Sequence, residues 1–307
     1  MPSNPTSSPA RGSLTKVITE AGRLTDRDHA VINLLADHRV MTTDQLARVE
    51  FSNVSMRFAR RRLQQLAERD VLARFRTFHR PGSLPWRYCL GPVGALLHAA
   101  RTDTTFPRAN DIAARVTRLQ SSSKLDHRLG VAEFYSRLHA GARRTPGAAL
   151  TAWWSETRAA TECGHLLRPD GYLEWAHHQP NAKPAIVGCF YEHDRGTEVL
   201  DTLLDKIDAY ARLTAAGIRK HAVRTANSIS RPVLVELPSV ERETNFHQAI
   251  DRRHGSVGPS GVMMLTTHSE LVRGDVGPAG PIWWLAASKQ RLQLTDLINN
   301  VRRSGVR

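Results

Sequence analysis

The sequence predicts an α/β chain, α+β overall, in which a small, mainly helical domain precedes a larger mixed-sheet domain. Three observations carry this. Residues 24–69 hold three short runs of helical apolar spacing, and two strand-like runs follow at 71–78 and 86–90. From residue 124 onward helical and strand patterns alternate, as they do when helices cover a sheet. Between them lies a polar bridge that ends in Ser121-Ser122-Ser123. The expected organisation is a disordered leader over 1–21, a first domain over 22–100, a linker over 101–123, a second domain over 124–290 and a polar tail over 291–307.

In the first domain, Thr25 or Asp26 is placed to cap a helix reaching His38, with Val31, Leu34 and Leu35 as its apolar stripe. Thr42 and Thr43 cap a second helix, where Leu46 and Val49 recur at i, i+3. A third helix spans about 55–69. Spacing assigns Met56, Ala59, Leu63 and Leu66 to its core face and Arg57, Arg60, Arg61 and Gln64 to the other. On the strand that follows, Arg74 and Arg76 share one face, and His79-Arg80-Pro81-Gly82-Ser83 signals a turn.

Three short helices followed by a basic β-hairpin are the plan of a winged helix-turn-helix. The third helix of that plan fits the DNA major groove, about 12 Å wide, while hairpin arginines meet phosphates. The candidate DNA-binding residues are Arg57, Arg60, Arg61, Gln64, Arg74, Arg76 and Arg80. Winged helices also serve as dimerisation modules, so a second copy of the chain stands beside double-stranded DNA as an expected partner.

Charge points the same way. The 307 residues carry a net charge of +14, of which +7 falls in residues 1–100, +5 in 101–150 and +2 in the remainder. A basic front half implies a polyanionic partner. No apolar run approaches the roughly 20 residues of a membrane helix, and the polar, Pro/Ser-rich start carries no secretory signal. Cys89, Cys163 and Cys189 are odd in number, widely spaced and without a CxxC pair, which fits a reducing cytoplasm and small hydrophobic roles.

In the second half, the expected order is a helix at about 125–140, strands at 149–155, 167–175 and 185–192, a helix over 198–216 capped by Thr197, a strand at 232–237, a helix at 241–252 and strands at 261–267 and 282–286. Asp170 falls on the second strand. Glu192 and Asp194 end the third, on one face if the chain stays extended. Pairing of those strands brings Asp170 and Glu192 close enough to share a divalent cation, Mg²⁺ or Mn²⁺, as oxygen ligands.

Pro169-Asp170-Gly171 followed by Glu192-His193-Asp194-Arg195-Gly196-Thr197-Glu198 resembles the replication-relaxation family of actinobacterial plasmids and integrated mobile elements, over about residues 22–286. The resemblance implies DNA transactions in plasmid replication or mobilisation, with replication or transfer proteins as partners. It also implies a second domain of the restriction-endonuclease-like PD-(D/E)xK kind, ordered α-β-β-β-α-β. On that pattern Asp170 and Glu192 are the two acidic residues and metal ligands. Asp194 occupies the place of the pattern's lysine, Lys206 on the next helix is its candidate replacement, and Glu133 is an additional or supporting carboxylate. Two readings stay open. One is a Mg²⁺- or Mn²⁺-dependent deoxyribonuclease acting through Asp170, Glu192, Asp194 and Lys206. The other is a non-enzymatic winged-helix regulator or relaxosome accessory protein, whose nuclease-like domain binds a partner or dimerises.

Overall fold

The computed structural model describes residues 11–76, 84–178, 185–215, 231–255, 262–285 and 290–298, in two compact units, Met1–Ser136 and Arg137–Arg307. The protein is mixed α/β, with helices around a mixed sheet.

The first unit starts earlier than apolar periodicity indicates. α1 (Arg11–Ala21) occupies residues assigned above to a disordered leader. It is held by tertiary contacts rather than by its own propensity: Val17 is buried, Lys16 pairs with Asp70, and Glu20 pairs with Arg69. Residues 1–10 of that leader lie outside the described residues.

α2 (Asp26–His38) opens on a reciprocal cap, in which the Asp28 amide donates to the Thr25 hydroxyl and the Thr25 amide donates to the Asp28 carboxylate. β1 (Met41–Thr42) runs into α3 (Thr43–Glu50), where Thr42 and Gln45 repeat the arrangement. α4 (Met56–Glu68) is capped by Ser55 and buries Ala59, Leu63 and Leu66 completely. Met56, assigned to the core by spacing, is instead 38% exposed. It is the first residue of the helix, one turn ahead of the buried stripe.

β2 (Leu72–Phe75) and β3 (Arg87–Leu90) join β1 in an antiparallel sheet ordered β1-β3-β2. The turn expected at 79–83, Arg80 included, lies outside the described residues. α5 (Pro92–Arg101) begins with proline at its first position, where no backbone donor is needed. The expected linker contains α6 (Ala109–Gln120), which buries Ile112 and Leu119. α7 (Leu125–Arg144) crosses the division between the units. In the first unit its Leu125 and Leu129 pack with Val40, Phe75, Cys89 and Leu119, so the boundary falls within this helix and not before it.

The second unit is built on a seven-stranded sheet of order β10-β9-β8-β7-β6-β5-β4. β4 (Ala148–Ser155) leads into α8 (Glu156–Glu162), a short helix that the sequence pattern did not reveal. β5 (Gly171–His177) and β6 (Ala185–His193) continue an antiparallel meander. α9 (Leu200–Ala215) starts two residues after the expected Glu198. β7 (Val233–Leu237), α10 (Val240–His254) and β8 (Met264–His268) follow, with β6, β7 and β8 mutually parallel. α11 (Ser269–Arg273), β9 (Trp283–Leu285) and β10 (Arg291–Leu292) complete it. The expected polar tail thus begins as an edge strand, and Leu294, Leu297 and Ile298 are buried. The core contains Tyr172, Phe190 and Val235 from the sheet with Leu203 and Ile207 of α9 and Phe246 of α10.

Candidate functional site

Strand register brings the two predicted carboxylates together. Gly171, the first residue of β5, pairs with Tyr191 of β6, so Asp170 lies beside the end of β6. Its Oδ2 accepts the His193 amide at 2.8 Å. Glu192 is 3% exposed and Asp170 9%. Gly171 fits here because a Cβ would stand 2.7 Å from the Trp153 ring.

Glu192 is held from α9. Its Oε1 accepts the Tyr210 hydroxyl at 2.6 Å, and its Oε2 lies 3.6 Å from Lys206 Nζ. Lys206 and Tyr210 are four residues apart, so one helical face presents both. Burial, together with the negative charge of Asp170, pushes the Glu192 carboxyl up to about 8, against the pull of Lys206 and Tyr210. Burial works to lower the Lys206 ammonium, but Glu192 and Asp170 hold it above its ordinary range. The Lys206 side chain remains 44% exposed, so it links the buried carboxylate to solvent.

Other predicted residues go elsewhere. β6 ends at His193, so the two-residue alternation that would align Asp194 with Glu192 stops there. Asp194 instead pairs with Arg242 of α10 and accepts the Gly196 amide at 2.8 Å. Gly196 sits at φ 76°, in the left-handed region that glycine tolerates. Arg242 also donates to the Glu198 carbonyl at 2.6 Å, which clamps the segment after β6 onto α10. Glu133 serves the first unit, accepting Gln45 Nε2 at 3.1 Å and Arg48 Nη1 at 3.2 Å.

Sequence reasoning missed a buried polar group beside this site. Along β6, Tyr191 and His193 point away from the Glu192 face. Glu236 of β7 accepts the Tyr191 hydroxyl at 2.7 Å and the Ser269 hydroxyl at 2.6 Å, with His193 Nδ1 at 3.7 Å. Burial opposes ionisation of Glu236, but His193 and the two hydroxyls hold its carboxyl below the ordinary value. The one sequence signal was a glutamate in the otherwise apolar run VLVEL.

Among the described residues, no group of three or more His, Cys, Asp or Glu side chains could hold a metal ion. All three cysteines are buried, and burial pushes the Cys89 thiol up to about 11, away from nucleophilic or ligand roles at neutral pH.

In the first unit, Arg57, Arg60, Arg61 and Gln64 are all exposed on α4. Gln64 donates to Glu68 at 2.8 Å. Arg62 points inward to the fully buried Asp28, with Nε 2.9 Å from Oδ1. Arg74 and Arg76 each place a guanidinium 4.5 Å from the centroid of the Trp86 ring. Stacking uses the flat face of a guanidinium, and both arginines are half-buried there. No helix among the described residues is long and apolar enough to cross a membrane.

No curated protein and no solved structure matches the chain. The family model described as replication-relaxation matches residues 32–228. That span runs from within α2 through α9 and takes in the arginines of α4 together with Asp170, Glu192 and Lys206. It covers more than half of the sequence, and the protein belongs to the replication-relaxation family.

Proposed function

We propose that this protein binds duplex DNA through its first unit and cuts or nicks DNA with its second, within the replication or mobilisation of a plasmid or mobile element. The family supplies the replication theme. α2, α3, α4 and the β1-β3-β2 sheet read as a winged helix-turn-helix, with α4 offered to the major groove and Arg57, Arg60, Arg61, Arg74 and Arg76 to phosphates and base edges. The second unit reads as a PD-(D/E)xK-like domain.

The observation that carries the nuclease reading is the convergence on Glu192 of two residues distant in sequence, Asp170 before β5 and Lys206 on α9. Two buried carboxylates that raise each other's cost of ionisation suit a divalent cation, which removes that repulsion. Oxygen donors favour Mg²⁺ or Mn²⁺, which Asp170 and Glu192 would hold. Such an ion would supply Lewis-acid polarisation of a phosphate oxygen and would lower the pKa of a water beside it. The Lys206 ammonium, at the solvent edge, orients a phosphate oxygen or the attacking water from a backbone position other than 194.

Nicking of supercoiled plasmid with Mg²⁺ and with Mn²⁺ tests this. The wild-type protein nicks, and the Asp170→Ala/Glu192→Ala double variant and Lys206→Ala do not. Nicking that survives in the double variant removes the site. DNA binding has its own test: changing Arg57, Arg60 and Arg61 to Ala flattens the salt dependence of duplex affinity by about 2.7.

Two observations favour a second reading. Both Glu192 oxygens already have protein partners, and Asp194, in the place of the pattern's lysine, is paired with Arg242. On this reading the second unit is a scaffold that binds a replication or transfer protein. Wild-type protein that binds duplex and never nicks it, with either ion, selects this reading.

A further inference from the structure

The first turn of α4 carries a feature that phosphate binding does not use. Phe58 is 47% exposed and Met56 38%, although Ala59, Leu63 and Leu66 of the same helix are completely buried. Phe58 is not a loose side chain. Its amide donates to the Ser55 hydroxyl at 3.2 Å, and its ring lies 6.5 Å from that of the buried Phe51, tilted by 53°. Arg61 is its i+3 neighbour, so the half-exposed ring borders the exposed arginine face of α4 on one side.

An aromatic ring bordering a cationic helix face suits a partner that offers an apolar group beside anions. In the DNA major groove, phosphates form an anionic rim, and the floor offers one apolar group, the 5-methyl of thymine. Residues in the first turns of a helix-turn-helix recognition helix are those that reach base edges. On that reading the arginines supply phosphate contacts, which carry no sequence information. They leave unexplained why a large aromatic ring stays half in water beside them.

We propose that Phe58 is a specificity-determining residue that packs against a thymine 5-methyl group in the major groove. The inference rests on the reading of the first unit as a DNA-binding domain and makes a narrower claim. It commits the protein to a site containing thymine at the position under the start of α4.

The test uses the full chain and a pool of duplexes with a randomised centre. Bound duplexes are recovered, and the shared sequence is rebuilt with uracil in place of thymine, one position at a time, which deletes only the methyl. At one thymine or more, wild-type affinity falls about four-fold, the factor expected for one buried methyl. Phe58→Ala binds the thymine and uracil duplexes equally, and Phe58→Leu restores part of the preference. Thermal unfolding of each variant, measured alongside, confirms that the half-exposed ring is not needed for folding.

Four results overturn the assignment: no shared sequence in the recovered pool, wild-type indifference to every uracil, a preference that persists in Phe58→Ala, or Phe58→Ala altering self-association with DNA binding unchanged. The last gives the patch to a second copy of the chain. Wild-type protein that retains no duplex at all takes down the DNA-binding reading itself, and this inference with it.

Discussion

Tyr210 donates its hydroxyl proton to Glu192 across 2.6 Å, one helical turn beyond the Lys206 ammonium that approaches the other carboxylate oxygen at 3.6 Å. Tyr210→Phe keeps the ring and deletes the donor. Stability falls by about 1 kcal/mol, the net worth of one buried hydrogen bond. If the site binds a cation, the Mn²⁺ concentration for half-maximal nicking rises several-fold while the maximal rate is nearly unchanged. An unchanged metal requirement reduces the bond to one that packs α9 on the sheet.

Glu192 also sets a pH dependence. Its carboxyl titrates at about 8 in the folded chain against an ordinary 4.5. Between those values the folded state keeps a proton that the unfolded state has released, so stability falls as pH rises through the window. Urea denaturation in the presence of a chelator, below, within and above that window, measures the fall. Glu192→Gln is neutral throughout and removes it.

His38 gives the opposite sign in the first unit. It is buried with its ring 4.5 Å from that of Tyr135, and burial lowers its pKa from 6.5 to about 4. The unfolded chain takes up the proton first as pH falls, so the contribution is complete above 6.5 and is lost toward 4. The loss amounts to about 3 kcal/mol. His38→Phe flattens this limb of the denaturation midpoint against pH.

The Trp86 ring holds two guanidiniums in place, and its removal is predicted to act through them. Trp86→Ala reduces the salt slope of duplex affinity by up to about 1.8, the value for two lost phosphate contacts. Trp86→Phe keeps most of the slope. A slope unchanged in Trp86→Ala assigns the stack to hairpin stability.

Legibility followed the range of the interactions. Thr25, Thr42 and Ser55 cap helices through partners three residues away, so α2, α3 and α4 could be placed from the chain alone. Asp170 and Glu192 could be brought together because strand order implied their pairing. α1 escaped because it is held by the distant partners Asp70 and Arg69, and α6 because its Leu119 packs against Val40, Phe75 and Cys89. The Glu236 group escaped for the same reason: Tyr191 and Ser269 lie 45 and 33 residues from it in sequence. Met56 was misplaced because spacing names a helix face and does not say how far along the helix the core extends.

The buried pair of Arg62 and Asp28 has a consequence for what α4 presents. Arg57, Arg60, Arg61 and Arg62 together spread positive charge around much of the helix, so charge alone does not choose which side faces out. Asp28, fully buried and tied into the cap of α2, accepts only the fourth of them. The pair therefore acts as a key that fixes the roll of α4 about its own axis. Because each residue advances the helix by about 100°, a register slip of one position would turn the arginines and Phe58 off the outward face. Removing one buried ion pair would then change what α4 presents without touching any residue on its exposed face.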